Sequence, residues 1–378
     1  MAGVGVGLVG YKFMGRAHSN AYRQLPRFFD VDPAPRMAAI CGRDEAGVRE
    51  AAHSLGWESH ETDYRRLIER DDVGLVDVVT PGNTHREIVL AALEAGKHVI
   101  CEKPLANSLA EAKEMLDATR EAGTINMVCF NYRRAPAVQL AKKLVDEGRL
   151  GTIRHWRATY LQDFIMDPGF PLIWRLKREL AGSGALGDIG AHSVDLAQFL
   201  LGGISEVVGM TETFVRERPL EGSYGETGEV TVDDAAAFLA RFANGAVGTF
   251  EASRFAAGRR NKNAFEINGS KGSVAFDLER MNELEVFFVD DDADVQGFRT
   301  VNVTEPDHPY AGAWWPPGHI LGYEHTFVHT MKDLMDGIKT GTSPAPTFED
   351  AYRVQAVLDA VERSVEGGGW TRPEDGGI

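Results

Sequence analysis

From residue 4 to residue 130, short apolar runs alternate with stretches whose apolar positions recur about every 3.6 residues. Such an alternation predicts a parallel sheet joined by right-handed helical crossovers. Residues 4–9 read as the first strand, and Gly10-Tyr-Lys-Phe-Met-Gly15 opens a helix that runs through His18, Ala21, Tyr22 and Leu25. Further strands are predicted at 36–41, 75–79, 99–101 and 125–130, with a helix at 45–55. Thr84 and Glu87 have capping-box spacing for a helix that ends at Gly96, and Ser108 and Glu111 repeat the device for one that ends at Gly123.

Beyond a linking helix at 136–147, stopped at Gly148, the pattern changes to short alternating runs. Strands are predicted at 154–162, 206–215, 235–243, 246–253, 263–268, 273–277 and 283–289, forming an antiparallel sheet with one helix at 188–201. Asn244-Gly245 marks a hairpin, and Asn268-Gly269 a second turn. Residues 217–231 and 303–322 read as loops, and helices at 323–338 and 348–365 finish the chain. The expected fold is α/β with two domains. A doubly wound domain spans 1–131, and a domain with a large, mostly antiparallel open sheet spans 132–378, its last helices packing back on the first.

Composition narrows the partners. The 378 residues can bury two cores, and 43% apolar with 25% charged residues is an ordinary globular profile. A net charge of -16 argues against nucleic acid or an anionic membrane surface as partner. The first residues carry no basic region, and no run reaches the ~18 apolar residues of a membrane span. Cys41, Cys101 and Cys129 are far apart and odd in number, so reduced strand residues and a cytoplasmic location are expected.

Two stretches carry candidate chemistry, and a third carries cofactor chemistry. In Val99-Ile-Cys-Glu-Lys-Pro-Leu105, Pro104 cannot donate to a sheet and forces Lys103 into an extended conformation at the C-terminal edge of a strand. Open α/β sheets bind ligands at that edge, and a lysine partly withdrawn from water can exchange a proton there. In Gly184-Ala-Leu-Gly-Asp188-Ile-Gly-Ala-His192-Ser-Val-Asp195, Asp188 and His192 share a helix face one turn apart, so the carboxylate can orient the imidazole. Asp195 lies three residues further on, where it can fix the other ring nitrogen. An N-capping aspartate with a core histidine is the plainer alternative, and no third ligand for a metal is evident.

A dinucleotide fingerprint can be placed in two registers. Gly5-Val-Gly-Leu-Val-Gly10 matches literally but lies inside the strand, whereas Gly10-Tyr-Lys-Phe-Met-Gly15 has the strand–turn–helix context with Lys12 in place of the second glycine. A lysine there either crowds the pyrophosphate or contacts it through its amine. At the end of the second strand, where an acid takes the ribose hydroxyls or an arginine the 2′-phosphate, stand Gly42, Arg43 and Asp44. Arg43 leans the reading toward NADP, and Asp44 keeps NAD open.

Taken together, the glycine turn, Thr80-Pro-Gly-Asn-Thr-His85, Glu102-Lys103-Pro104, Asn131-Tyr-Arg133 and Gly184 to His192 resemble the Gfo/Idh/MocA oxidoreductases over nearly the whole chain. The resemblance implies Lys103 as general acid/base, with Asp188 and His192 completing the catalytic group. It implies a cofactor lined by Gly10, Lys12, Phe13, Met14, Gly15, Arg43, Asp44, Thr80, Pro81, Asn83, His85, Glu102, Lys103 and Asn131. Arg133, Tyr160, Gln162, Asp163, Trp174 and Arg175 would line the sugar pocket or the nicotinamide edge. It further implies an NAD- or NADP-dependent sugar, anhydrosugar or polyol dehydrogenase that forms a homodimer or homotetramer through its open sheet. Alternatives within the resemblance are a tight-cofactor sugar oxidoreductase, an NAD-dependent glycosidase and a non-catalytic regulator.

Overall fold

The structure is a computed structural model that describes residues 3–222 and 225–377. The chain divides into two compact units, Met1–Arg134 with Gly322–Tyr352, and Ala135–Leu321 with Arg353–Ile378.

The first unit begins β1 (Val4–Val9), α1 (Phe13–Phe28), β2 (Pro35–Cys41), α2 (Glu45–Leu55), β3 (Ser59–Glu61) and α3 (Tyr64–Ile68). It continues through β4 (Leu75–Val78), α4 (His85–Glu94), β5 (His98–Glu102), α5 (Leu109–Ala122) and β6 (Asn126–Cys129). Its six strands are all parallel in the order β3-β2-β1-β4-β5-β6. The chain winds outward in both directions from β1 and β4, which places the topological switch point between them. Val6, Leu8, Val76, Val99 and Ile100 are wholly buried, as strands covered on both faces require.

Helix ends follow the sequence signals with one exception. Asp44 caps α2 and Ser108 caps α5, and Gly56 and Gly123 close these helices in the left-handed conformation. Thr84 does not cap α4. Its hydroxyl instead donates toward Pro81 O at 2.8 Å and Thr80 Oγ1 at 2.7 Å, because a 3-10 turn over Gly82–Thr84 precedes the helix.

The second unit holds α6 (Pro136–Asp146), β7 (Ile153–Leu161), α7 (Arg178–Ala181), α8 (Ala191–Leu201), β8 (Ile204–Glu212), β9 (Glu217–Pro219) and β10 (Thr227–Glu229). It continues with β11 (Ala235–Phe242), β12 (Val247–Ser253), β13 (Lys262–Gly269), β14 (Gly272–Asp277), β15 (Glu283–Phe288) and β16 (Arg299–Asn302). The chain then enters α9 (Tyr323–Thr340), which packs on α1 in the first unit, and ends with α10 (Phe348–Gly367).

Eight strands of the second unit form a sheet in the order β16-β15-β14-β13-β7-β12-β11-β8. The sheet is not wholly antiparallel, since β7 and β12 pair in parallel. β11 and β12 form the hairpin expected at Asn244-Gly245, with Gly245 at φ +90°. Asn268-Gly269 is not a turn. It continues β13, and the chain reverses at Ser270-Lys271, because Gly269 lets Leu150 O approach to 2.0 Å of where a Cβ would stand. Within 217–231, positions 223 and 224 lie outside the described residues, and β9 and β10 pair as a small hairpin. Alternation along β11 leaves one face of the sheet open, where Met210, Leu239 and Val247 are exposed.

Candidate active site

In the first unit β1 delivers the chain into a turn that only glycines permit. Gly10 has φ +114°, and a Cβ on Gly15 would stand 2.3 Å from Gly10 O. The glycine turn therefore lies at 10–15. Gly5 serves close packing, since a Cβ there would meet Asp72 O at 1.8 Å. Lys12 stands at the N-cap of α1 with no side-chain cap, exposed, its Nζ 4.8 Å from the Tyr11 ring centre. The uncapped first turn leaves backbone N–H groups for an anion, and the glycine cradle lets a pyrophosphate approach, so the residues present fit a dinucleotide. Met14 borders the turn, and Phe13 is 67% exposed.

Tyr11, which sequence reasoning passed over, covers the end of β2. A Cβ on Gly42 would fall 2.3 Å from its ring, so that ring fills the place of an acidic side chain there. The Asp44 carboxylate accepts the Gly47 N–H at 3.1 Å, and Arg43 is exposed.

Behind the sheet edge lies a buried ionic cluster. His18 from α1 places Nδ1 2.8 Å from Asp77 Oδ2 and Nε2 3.0 Å from Glu102 Oε1, and Tyr22 donates to Asp77 at 2.9 Å. The second oxygen of Glu102 accepts the backbone N–H of Lys103 at 3.1 Å. Burial alone would push the His18 pKa down, but the Asp77 carboxylate and Cys129 outweigh it and hold His18 well above its usual value. Burial would raise Glu102, yet its bond to His18 and the nearby Lys103 charge bring it below the usual range. The cluster is thus an imidazolium between two carboxylates. His18, Glu102 and Cys129 present ligand atoms within 4.8 Å of one another, but an imidazolium has no lone pair for a metal.

Lys103 is half-buried at the end of β5, and its bond to Pro104 is cis. His85 ties two loops of this edge, its ring nitrogens 2.8 Å from Thr80 O and 3.0 Å from Pro104 O, and burial pushes its pKa down toward the neutral form. Pro81 and Asn83 are exposed at the rim. Asn131 is buried and donates to Thr326 Oγ1 at 2.8 Å, and Arg133 is buried against Asp350 at 3.7 Å.

In the second unit Leu186–Gly190 forms a π-helical turn ahead of α8 rather than the start of a plain helix, and such turns often accompany functional sites. Asp233 holds the turn, accepting the N–H groups of Gly184 at 2.7 Å and Leu186 at 2.8 Å. Gly184 admits this approach, since a Cβ there would stand 1.7 Å from Asp233 O. Asp188 accepts from Arg254 Nη2 at 2.7 Å. His192 and Asp195 are buried on α8, with the Tyr160 ring 5.9 Å from His192. Asn261 orients two expected residues, accepting from Tyr160 Oη at 2.8 Å and Gln162 Nε2 at 3.0 Å. Asp163 holds the Gly258 N–H and Arg260, both at 3.0 Å. Arg175 stacks on Trp174 at 4.3 Å, and burial lowers its pKa, followed by opposing effects of Asp188 and Arg254.

Asp77 and His18 left a signal in the sequence, an acid inside an apolar strand run and a histidine on a helix's apolar face. Arg254, Asn261 and Asp233 left none, because each acts through a partner distant in sequence.

A doubly wound sheet with a glycine turn at its switch point defines a dinucleotide-binding fold. Residues 4–130 match the oxidoreductase family with an NAD-binding Rossmann fold, and 138–275 match the GFO/IDH/MocA C-terminal domain. The chain belongs to the Gfo/Idh/MocA oxidoreductases. It is 45% identical to levoglucosan dehydrogenase of Pseudarthrobacter phenanthrenivorans, over 98% of each chain. An oxidoreductase domain protein from Kribbella flavida superposes with a TM-score of 0.96 at 57% identity, covering 99% of this chain and all of that one. Levoglucosan dehydrogenase in complex with NADH and levoglucosan superposes with a TM-score of 0.96 at 45% identity, with the same coverage. Among the described residues, no helix is long and apolar enough to cross a membrane.

Proposed function

We propose that this oxidoreductase is a nicotinamide-dependent dehydrogenase of a ring secondary alcohol in a sugar, anhydrosugar or polyol. The observation that carries the reading is Lys103, set at the sheet edge by Glu102 and the buried His18–Asp77 pair. When bound, the nicotinamide accepts the hydride from the carbinol carbon. The chain's own residues bind the substrate and manage the hydroxyl proton. Lys103 or His192 takes that proton, and Asp188 holds the imidazole's orientation and charge. Gln162, held by Asn261, and Arg175 on Trp174 supply donors and a flat surface suited to a hydroxyl-rich ring, and Tyr160, whose proton goes to Asn261, offers an acceptor oxygen. The 45% identity to an enzyme crystallised with NADH and levoglucosan supports an anhydrosugar as the first candidate.

The finer cofactor reading is NADP. Tyr11 fills the acid's place at Gly42, the Asp44 carboxylate is engaged with α2, and Arg43 and Lys12 stand exposed, so these cations would take a 2′-phosphate. Gly10, Phe13, Met14, Gly15, Thr80, Pro81, Asn83, His85 and Asn131 would frame the rest of the dinucleotide. Met210, Leu239 and Val247 on the open sheet face fit a homodimer or homotetramer, which light scattering would count. Buried reduced cysteines fit a cytoplasmic enzyme.

Nicotinamide absorbance tests the reading, with levoglucosan, inositols and aldoses each supplied with NAD and NADP. Reduction that depends on one sugar, and is lost in Lys103→Ala while cofactor still binds, supports it. Full turnover by that variant would overturn the assignment. A preference for NAD, unchanged in Arg43→Ala, would overturn the NADP reading alone.

A further inference from the structure

Arg254 follows β12 and has only 1% of its side chain exposed. Nη2 donates to Asp188 Oδ2 at 2.7 Å, while Nε and Nη1 are buried with no acceptor. A guanidinium so placed is a poor device for stability, because a buried ion is costly unless its donors are satisfied. Its one charged hydrogen bond goes to the member of the Asp188–His192 pair that reaches solvent, Asp188 being 28% exposed. Charged and titratable groups surround that carboxylate from several elements. Arg175 approaches from the 174–176 turn, Arg254 from the end of β12, and His192 stands one turn along on α8. Asp233 clamps the π-turn, and Asp234 lies behind Arg254, whose backbone N–H it accepts at 3.0 Å.

We propose that Arg254 is a positioning residue for the dehydrogenation, holding Asp188 ionised and fixed on the π-turn through the 2.7 Å bond. The proposal rests on the role given to Asp188 under the proposed function. Removing an opposite charge disfavours the ionised form, so without Arg254 the Asp188 carboxyl protonates at higher pH. A lysine keeps the charge but not the fork, and holds the carboxylate only partly.

The test is a ¹³C carboxyl titration of aspartate-labelled protein, with Asp188 assigned by Asp188→Asn, run beside the pH profile of kcat/KM on levoglucosan. In Arg254→Met the Asp188 resonance and the acid limb move upward together by about one pH unit, so that turnover falls about tenfold on the acid limb and by less near neutrality. Arg254→Lys moves both by less. Arg254→Gln, which leaves no apolar hole and keeps a donor, gives the upward shift should the methionine variant not fold. The control is Arg218→Met. That arginine is fully buried in the same unit but donates to the carbonyls of Ile165, Asp167 and Phe170, so its loss lowers the melting temperature and leaves Asp188 unmoved. If Arg254→Met or Arg254→Gln melts early with a wild-type Asp188 titration, Arg254 is structural and the proposal fails. If the titration moves but Asp188→Asn turns over normally, the assignment of Asp188 fails instead, and with it the positioning role.

Discussion

Replacing His18 by glutamine removes the imidazolium from between Asp77, 2.8 Å away, and Glu102, 3.0 Å away. All three side chains are buried, so two carboxylates are left facing each other without the cation. Breaking a buried ion pair from one side costs about 3–5 kcal/mol, and a domain of this size loses roughly 2–4 °C of Tm per kcal/mol. The first unit should therefore melt roughly 6–20 °C lower in His18→Gln. The pH dependence has a defined sign. The folded pKa of His18 lies above its unfolded value, so its contribution is fully present below about pH 6.5 and is lost as pH rises through the folded pKa. Within that window the loss is up to ~1.4 kcal/mol per pH unit. Scanning calorimetry of both proteins from about pH 6.5 upward should show the gap widest at the acid end and narrowing with alkalinity. A gap below about 1 kcal/mol at the acid end, or one that widens as pH rises, would refute the imidazolium assignment.

Gly15→Ala places a Cβ 2.3 Å from Gly10 O and opens the turn, so dinucleotide affinity read by fluorescence titration should fall about tenfold or more. Asp233→Asn presents an amide N–H to the Gly184 or Leu186 N–H in place of an acceptor, at a cost of about 2 kcal/mol; thermal unfolding should show a lower Tm for the second unit. Burial pushes the Cys41 and Cys129 thiols up to about 12 and Cys101 well above its usual value. A thiol reagent at mildly alkaline pH should therefore modify none of the three until the protein unfolds, which mass spectrometry reads directly.

Local signals were legible where a single residue decides the backbone. Ser108 and Gly123 bound their helix as the sequence implies, since a cap needs only its own turn. Thr84 misled because its spacing to Glu87 is that of a capping box, while a 3-10 turn over Gly82–Thr84 took its hydroxyl elsewhere. Gly269 misled because a glycine after an asparagine fits both a turn and a close strand contact, and only the distant Leu150 carbonyl decides between them. The parallel pairing of β7 with β12 was illegible for a related reason, since alternation sets which face is buried and is silent on strand direction.

The same limit governs the candidate site. Lys103, Asp188 and His192 could be singled out because their neighbours in sequence constrain them; His18 and Asp77 show in the sequence as polar residues in apolar surroundings, but their pairing across the fold does not. Lys103 sits on backbone held by Glu102, whose charge is set by His18 and, through it, by Asp77, residues 84 and 25 positions upstream of it. Asp188 takes its charge partner 66 positions downstream and its backbone clamp from Asp233. In each unit a buried ionic contact reaches the segment bearing a candidate acid or base, and in each it arrives from another element of the fold. A motif can thus name the reacting groups, while their protonation depends on Coulomb terms that fall off with distance in space. Neutral substitutions at His18 and Arg254 should therefore perturb the chemistry although neither residue belongs to a sequence motif of the site.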